Sequence, residues 1–120
     1  MANFSDIESL RGPLELLCRN PETRINPPSI DIANRWEPYA VIDPSSLSRF
    51  TDAGAWEFIA DCIKDGCSIR YKPVSVVHPD HAYEAVVVPS YGDRGIYMKI
   101  ALKPPIRRII GLSFHYARHT

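Results

Sequence analysis

The chain has 120 residues, 45% of them hydrophobic, and its 14 Lys and Arg are balanced by 14 Asp and Glu. This size and composition predict one domain, residues 1–120, that folds around its own apolar core without disulfides or metals. The balanced charge gives no general signal for nucleic acid, and no stretch approaches the roughly 18 apolar residues that a membrane-spanning helix needs.

The three cysteines, Cys18, Cys62 and Cys67, follow an N-terminus without a secretory signal pattern. We therefore expect reduced thiols in a cytoplasmic protein without membrane association. The five-residue spacing of Cys62 and Cys67, with no second cysteine pair, does not predict a zinc site. The six glycines are scattered and form no phosphate-binding loop, so we expect no cofactor and no metal.

Proline is concentrated in residues 1–50, which form a proline-rich N-terminal region. Each proline removes a backbone donor and restricts the residue before it, which argues against a long helix here. We predict a short helix from Ser5 to Arg19, capped by Ser5 and kinked or interrupted at Pro13. An extended loop should follow from Asn20 to Ile30, and residues 35–42 fit either a strand or a loop.

The clearest helix runs from Asp52 to Asp65. Thr51 or Asp52 suits its N-cap, and Gly66 suits the left-handed position that ends a helix. Apolar residues at three- and four-residue spacing predict a buried stripe; they are Trp56, Ile59, Ala60 and Ile63.

Four strands are predicted after this helix, at residues 68–76, 83–88, 95–103 and 107–117. The short turns between them favour antiparallel neighbours. Pro73, inside the first strand, favours an edge position because proline cannot donate to a neighbouring strand. The predicted fold is α+β, in which residues 51–120 form one main helix packed on a four-stranded antiparallel sheet after a helical and irregular N-terminal region.

Side-chain alternation assigns a face to each strand residue. The apolar rows should face the helix; they are Ile69 and Tyr71, then Tyr83, Ala85 and Val87, then Ile96, Met98, Ile100 and Leu102, and finally Ile110, Leu112, Phe114 and Tyr116. The opposite face should be open to solvent. It should carry Arg70, Lys72, Glu84, Tyr97, Lys99, Ser113 and His115.

These open-face residues suit RNA cleavage without a metal. Glu84 and His115 would serve as base and acid, in either order, for attack by the RNA 2′-hydroxyl. Lys99 and Tyr97 would act on the phosphate or a base. Further contacts to the substrate would come from Arg70, Lys72, Ser113 and Arg108. The solvent face of any antiparallel sheet is also polar, and Arg108 fits a solvated hairpin tip equally well.

Two segments, residues 95–100 (GIYMKI) and 109–115 (IIGLSFH), resemble the C-terminal hairpin of the MqsR family and the wider RelE superfamily. These are ribonuclease toxins of bacterial toxin–antitoxin pairs. The resemblance implies a helix-plus-sheet fold of the microbial-ribonuclease type, metal-independent cleavage of messenger RNA and neutralisation by an antitoxin protein. It places Tyr97 and Lys99 at functional positions, and His115 at the basic position after Ser113 and Phe114, where MqsR usually has Lys.

Two alternatives stay open. The neutral charge and the Trp- and Tyr-bearing, proline-rich region suit a non-catalytic binding module, such as an immunity protein, an antitoxin-like partner or an adaptor. The group His78, Pro79, Asp80 and His81 suggests a metal site, although a polar turn explains it better.

Overall fold

The computed structural model describes residues 6–26, 35–73, 81–87, 95–103 and 108–117. Two helices and a sheet make up this part of the chain, which confirms the α+β class. The elements are α1 (Ile7–Arg19), β1 (Arg24–Ile25), a 3₁₀ turn (Pro38–Ala40), α2 (Asp52–Lys64), β2 (Arg70–Pro73), β3 (His81–Val87), β4 (Ile96–Lys103) and β5 (Arg108–Tyr116). Neither helix in the described residues is long and apolar enough to span a bilayer.

Helix α1 is continuous through Pro13, so the predicted interruption is wrong. Its buried residues, Leu10, Leu14 and Cys18, are spaced four apart and hold one side of the helix against the core. Pro13 is exposed on the other side. The Ser9 carbonyl, which loses its helical donor at Pro13, belongs to an exposed residue, and the packing of the buried stripe keeps the helix continuous. The N-cap is Asp6 rather than Ser5; its carboxylate accepts from the Ser9 amide at 3.4 Å.

Helix α2 confirms the prediction closely. The Thr51 hydroxyl caps it by accepting from the Gly54 amide at 2.9 Å. Gly66 follows its end with φ of +83°, the left-handed conformation that glycine adopts without strain. The predicted apolar stripe is buried, with Trp56 and Ile59 each 1% exposed.

The two helices are also joined by ion pairs. The Arg19 guanidinium donates to Glu15 of its own helix and to Glu57 and Asp61 of α2, at 2.7–2.9 Å. Arg24 reaches Glu57 at 3.0 Å. Arg19 thus links α1 to α2 and Arg24 links β1 to α2, although partial exposure keeps the energy of each pair small.

The sheet in the described residues has five strands in the order β1-β5-β4-β3-β2. The antiparallel meander from β2 to β5 was predicted, as was the edge position of Pro73 in β2. The prediction of a four-stranded, wholly antiparallel sheet is wrong in one respect. β1, in a stretch expected to be a loop, pairs in parallel with β5 through Arg24–Ile109 and Ile25–Ile110.

A second N-terminal segment continues along the same side of β5. The Phe114 amide donates to the Arg35 carbonyl at 2.8 Å, and the Glu37 amide donates to the Phe114 carbonyl at 2.9 Å. Trp36 therefore forms an isolated parallel bridge with Phe114. Both pairings are between residues about 80 positions apart in the sequence, and local patterns carry no signal for them.

The inner face of the sheet packs on α1 and α2. Ile96, Met98, Ile100 and Leu102 of β4 are all buried there, as predicted. In β5 the predicted faces are wrong before residue 113. Lys99 pairs with Ser113 but Ile100 pairs with Gly111, so Leu112 is the extra residue of a bulge. The bulge puts Ile109 and Gly111, rather than Ile110 and Leu112, on the inner face with Phe114.

Candidate active site on the outer sheet face

The strand register aligns four of the proposed site positions in one row across the sheet. Arg70 of β2 pairs with Glu84 of β3, Glu84 pairs with Lys99 of β4, and Lys99 pairs with Ser113 of β5. Directly paired residues in antiparallel strands lie about 5 Å apart between Cα atoms. The row therefore brings together residues separated by up to 43 positions in the sequence.

Tyr97 and His115 form the next row, directly opposite each other on β4 and β5. Their rings lie 5.2 Å apart between centroids and are tilted by 35°. His115 is partly exposed, and its Nδ1 lies 2.7 Å from the Tyr116 carbonyl oxygen. A carbonyl accepts only, so Nδ1 carries a proton and, in the neutral ring, Nε2 keeps its lone pair. The imidazole is thus held in the tautomer that can exchange a proton through Nε2.

Positions 84 and 115 flank the central strand of the site. β4 lies between β3 and β5, and the two positions are offset by two residues along the strands. At about 4.8 Å between strands and about 3.3 Å per residue, their Cα atoms are roughly 12 Å apart. Lys99 and Tyr97 lie on β4 between them. This separation leaves room for one phosphate group between an acid and a base.

Two residues whose side chains alternate onto the outer face are nevertheless buried. Ser113 is only 2% exposed, and its Oγ accepts a hydrogen bond from the Arg35 amide at 3.3 Å. Ala101, two residues from Lys99, is also 2% exposed. The expectation that Ser113 contacts substrate is therefore corrected: its hydroxyl holds the segment at residue 35 against β5. The accessible part of the site lies towards Tyr97, Lys99 and His115, which are partly exposed.

Of the remaining predicted contacts, Arg70 fits the site and Arg108 does not. Arg70 is exposed at the start of β2, as predicted. Arg108 pairs with Lys103 at the far end of β5, seven residues from His115, which is roughly 20 Å along a strand. Arg108 therefore cannot share a phosphate with His115. Lys72 pairs with Ala82, one row beyond Arg70. The structure describes the backbone but not the side chains of Lys72 and Glu84.

The group at residues 78–81 lies outside the described residues, except for the backbone of His81 in β3. Among the residues that the structure describes, no three His, Cys, Asp or Glu side chains are close enough to hold a metal ion.

A second polar cluster, at the end of α2, escaped the sequence analysis. The Arg11 guanidinium reaches from α1 and donates to the carbonyls of Ile63 and Cys67, both at 2.9 Å. A hydrogen bond from the Cys62 thiol, aided by the Arg11 charge, lowers the pKa of Cys67 to about 7 against the opposing effect of burial. The sequence contained a signal for this cluster: Gly66 predicts the end of α2, and Cys62 and Cys67 flank it at the two positions that pack together at such a helix end.

The outer face thus combines cations, a tyrosine and a histidine on rigid strands, and this combination can bind and act on a phosphodiester. No protein family, no curated protein and no solved structure matches the chain.

Proposed function

We propose that this chain is a metal-independent endoribonuclease of the toxin–antitoxin kind, whose outer sheet face cuts RNA by attack of the 2′-hydroxyl. The observation that carries the proposal is the register, which puts Glu84, Lys99 and the Tyr97–His115 pair on three adjacent strands. The two helices and the sheet are compatible with the helix-plus-sheet fold that the resemblance to the RelE superfamily implies.

The proposed reaction needs one base and one acid. The base removes the proton of the 2′-hydroxyl, whose oxygen attacks the adjacent phosphorus. The acid protonates the leaving 5′-oxygen, so the products are a 2′,3′-cyclic phosphate and a 5′-hydroxyl end. Nδ1 of His115 is held by the Tyr116 carbonyl, which leaves Nε2 to exchange the proton. Glu84 takes the complementary role on the other side of β4.

Lys99 has the central electrostatic role in this proposal. Its strand lies between those of Glu84 and His115, where negative charge accumulates on the phosphoryl oxygens in the transition state. Arg70, two strands away in the same row, extends the positive charge towards the next phosphate. Tyr97 beside His115 offers an aromatic surface to a base.

The test uses the purified full chain with labelled RNA in excess chelator, and the 5′ ends of any fragments are identified chemically. We expect cleavage to give 5′-hydroxyl ends. His115→Gln should lower the cleavage rate by about 10²- to 10⁴-fold, the usual contribution of a general acid or base. Lys99→Ala should lower it by about 10²- to 10³-fold, the usual contribution of one electrostatic contact to the transition state.

Lys64→Ala is the matched control, since it removes an exposed lysine at the end of α2, away from the outer sheet face. It should leave cleavage unchanged. Circular dichroism must show that every variant is folded. Absence of cleavage by the wild type, or equal cleavage by the three variants, would refute the proposed site. In bacteria, induced wild type should arrest growth and fragment RNA, while the Lys99→Ala/His115→Ala variant should do neither.

A non-catalytic binding module is the second candidate, favoured by an exposed apolar surface in residues 38–49. Tyr39 is 63% exposed, Leu47 71% and Ile42 41%. Ionic strength separates the two functions, because RNA binding through phosphates weakens steeply with salt while docking of apolar side chains does not. A protein partner whose binding is lost in Tyr39→Ser/Leu47→Ser but kept in Lys99→Ala would favour this candidate.

A further inference from the structure

Helix α2 ends in a backbone motif that brings two cysteines together. The Cys67 amide donates to the Cys62 carbonyl at 3.1 Å, and the Gly66 amide donates to the Ile63 carbonyl at 3.4 Å. With Gly66 in the left-handed conformation, this is the Schellman ending of a helix. In that ending the first residue after the glycine packs against the residue five positions earlier. An apolar pair usually fills these two positions; here both side chains carry a thiol.

The two thiols influence each other electrostatically and differ in their surroundings. The Cys62 thiol donates a hydrogen bond to the Cys67 sulfur, which lowers the pKa of Cys67 to about 7. The same bond, together with burial, raises the pKa of Cys62. Both cysteines line the same small apolar cavity of about 10 Å³ between α2 and the sheet.

The third component is Arg11, whose side chain is only 18% exposed. Its two hydrogen bonds to the carbonyls of Ile63 and Cys67 hold a full positive charge beside the Cys67 sulfur. A cation in this position stabilises a thiolate, and thiolates are the reactive form of cysteine. Cys67 is partly exposed, whereas Cys18 has no exposed surface.

We propose that Cys67 is a peroxide-reactive thiol and that Cys62 is its resolving partner, so that oxidation closes a disulfide across the end of α2. The inference is independent of the proposed ribonuclease activity, because it uses other residues on the opposite side of the sheet.

The oxidant is hydrogen peroxide, and the reaction has two steps. The Cys67 thiolate attacks one peroxide oxygen and breaks the O–O bond, which gives a sulfenic acid and hydroxide. The Cys62 sulfur then attacks the sulfenic sulfur, loses its proton and displaces the hydroxyl group as water. In total, two thiols are oxidised to one disulfide while one peroxide is reduced to two waters.

The expected rate follows from the thiolate fraction. At pH 7 a thiol of pKa about 7 is half ionised, whereas one of pKa about 9 is roughly 1% ionised, a difference of about 50-fold. The lower basicity reduces the nucleophilicity of each thiolate by up to about 10-fold. We therefore expect Cys67 in the folded chain to react roughly fivefold faster than in the urea-unfolded chain.

The test treats the full chain with hydrogen peroxide and follows its intact mass. The wild type should lose two hydrogen atoms and regain them with dithiothreitol, and peptide mapping should join Cys62 to Cys67. In Cys62→Ser the disulfide cannot form, and dimedone should instead trap a sulfenic acid on Cys67. Cys67→Ser should stay unmodified over the same time.

Two substitutions of Cys62 then test the thiol hydrogen bond itself. Serine keeps a donor and alanine removes it, so the pH midpoint for alkylation of Cys67 should be higher in Cys62→Ala than in Cys62→Ser. The proposal is overturned if folded wild type forms no Cys62–Cys67 disulfide. It is equally overturned if Cys67 reacts no faster in the folded chain than in urea, a result that needs no variant to fold.

Discussion

Gly111 of β5 should tolerate no larger side chain, and its replacement tests how the N-terminal region is held on the sheet. A Cβ atom at this position would lie 2.5 Å from Cζ3 of Trp36 and 2.8 Å from two more atoms of the same ring. The ring cannot move away freely. It packs at 5.1 Å from Trp56 and 5.9 Å from Phe114, and its Nε1 donates to Asp52 at 2.9 Å.

The expected size of the effect follows from these contacts. Overpacking a filled core costs about 1–3 kcal/mol, and loss of the Trp36–Asp52 hydrogen bond would add about 0.5–1.5 kcal/mol. Against this, alanine reduces the entropy of the unfolded chain and so gains about 0.4–1 kcal/mol. Gly111→Ala should therefore lower the free energy of unfolding by about 0.5–4 kcal/mol.

Gly12→Ala is the matched control for the same chemical change. Gly12 is exposed inside α1, and a Cβ there would meet nothing within 4 Å. This variant should be more stable than the wild type by about 0.5–1 kcal/mol, the difference in helix propensity. Urea unfolding followed by tryptophan fluorescence is suitable, because the only two tryptophans of the chain are Trp36 and Trp56.

Equal stability of Gly111→Ala and the wild type would refute the reasoning, since the ring of Trp36 would then not be held against β5. The substitution Trp36→Leu provides a further check, because a smaller side chain should relieve the contact. The double variant should consequently lose less stability than the sum of the two single losses.

Three further predictions concern the helices and the core. Arg11→Met should lower the free energy of unfolding by about 1.5–3 kcal/mol in urea, because two charged hydrogen bonds at the end of α2 are lost; an unchanged midpoint would contradict this. Glu57→Gln should cost less than about 1 kcal/mol, and less still in high salt, because the carboxylate is 47% exposed. A salt-independent loss would argue against an ion pair. Burial raises the pKa of the Cys18 thiol from 9.0 to about 12, so between these pH values the unfolded chain releases a proton that the folded chain keeps. The contribution of Cys18 to the free energy of unfolding should therefore be fully present below pH 9 and be lost by up to about 1.4 kcal/mol per pH unit above it. Cys18→Ala should make this fall in stability shallower. The remaining fall is due to Cys62, whose pKa the bond to Cys67 and burial raise, and above pH 10 to Tyr83, whose pKa burial raises to about 12.

The sequence predicted those elements in which several local signals agree. In α2 the cap, the apolar stripe and the terminal glycine all point to the same residues, and the structure differs by one residue at the end. In β4 four apolar residues alternate with polar or small ones, so only one face can be buried. The same alternation placed Tyr97 and Lys99 on the outer face. In α2 and β4 the pattern allowed a single solution, and the buried face was predicted correctly.

Most errors lie where local signals were ambiguous or absent; at Pro13, by contrast, a clear local signal was overridden by the packing of α1. Ile109 and Ile110 are both apolar, so alternation in β5 allows either to face the helices. The bulge at Leu112, which depends on tertiary packing, places Ile109 on the inner face. β1 has only two residues, too few for a periodic signal. The burial of Ser113 could not be foreseen either, because it depends on the Arg35 amide, 78 residues earlier in the chain.

The N-terminal region has a structural purpose that bears on the candidate site. Residues 24–25 and 35–37 pair with opposite ends of β5, so this strand has neighbours on both sides instead of forming the sheet edge that a four-stranded meander would give it. An edge strand frays more easily than an internal one, because only one side is hydrogen-bonded. His115 therefore lies on a strand whose position is fixed twice, by β4 and by the chain around Trp36, while Arg70 lies at the opposite, edge strand. Proton transfer demands a fixed distance, whereas attraction of a phosphate by a long cationic side chain does not. The fold thus supports His115, whose position the proposed proton transfer requires to be fixed, more firmly than Arg70.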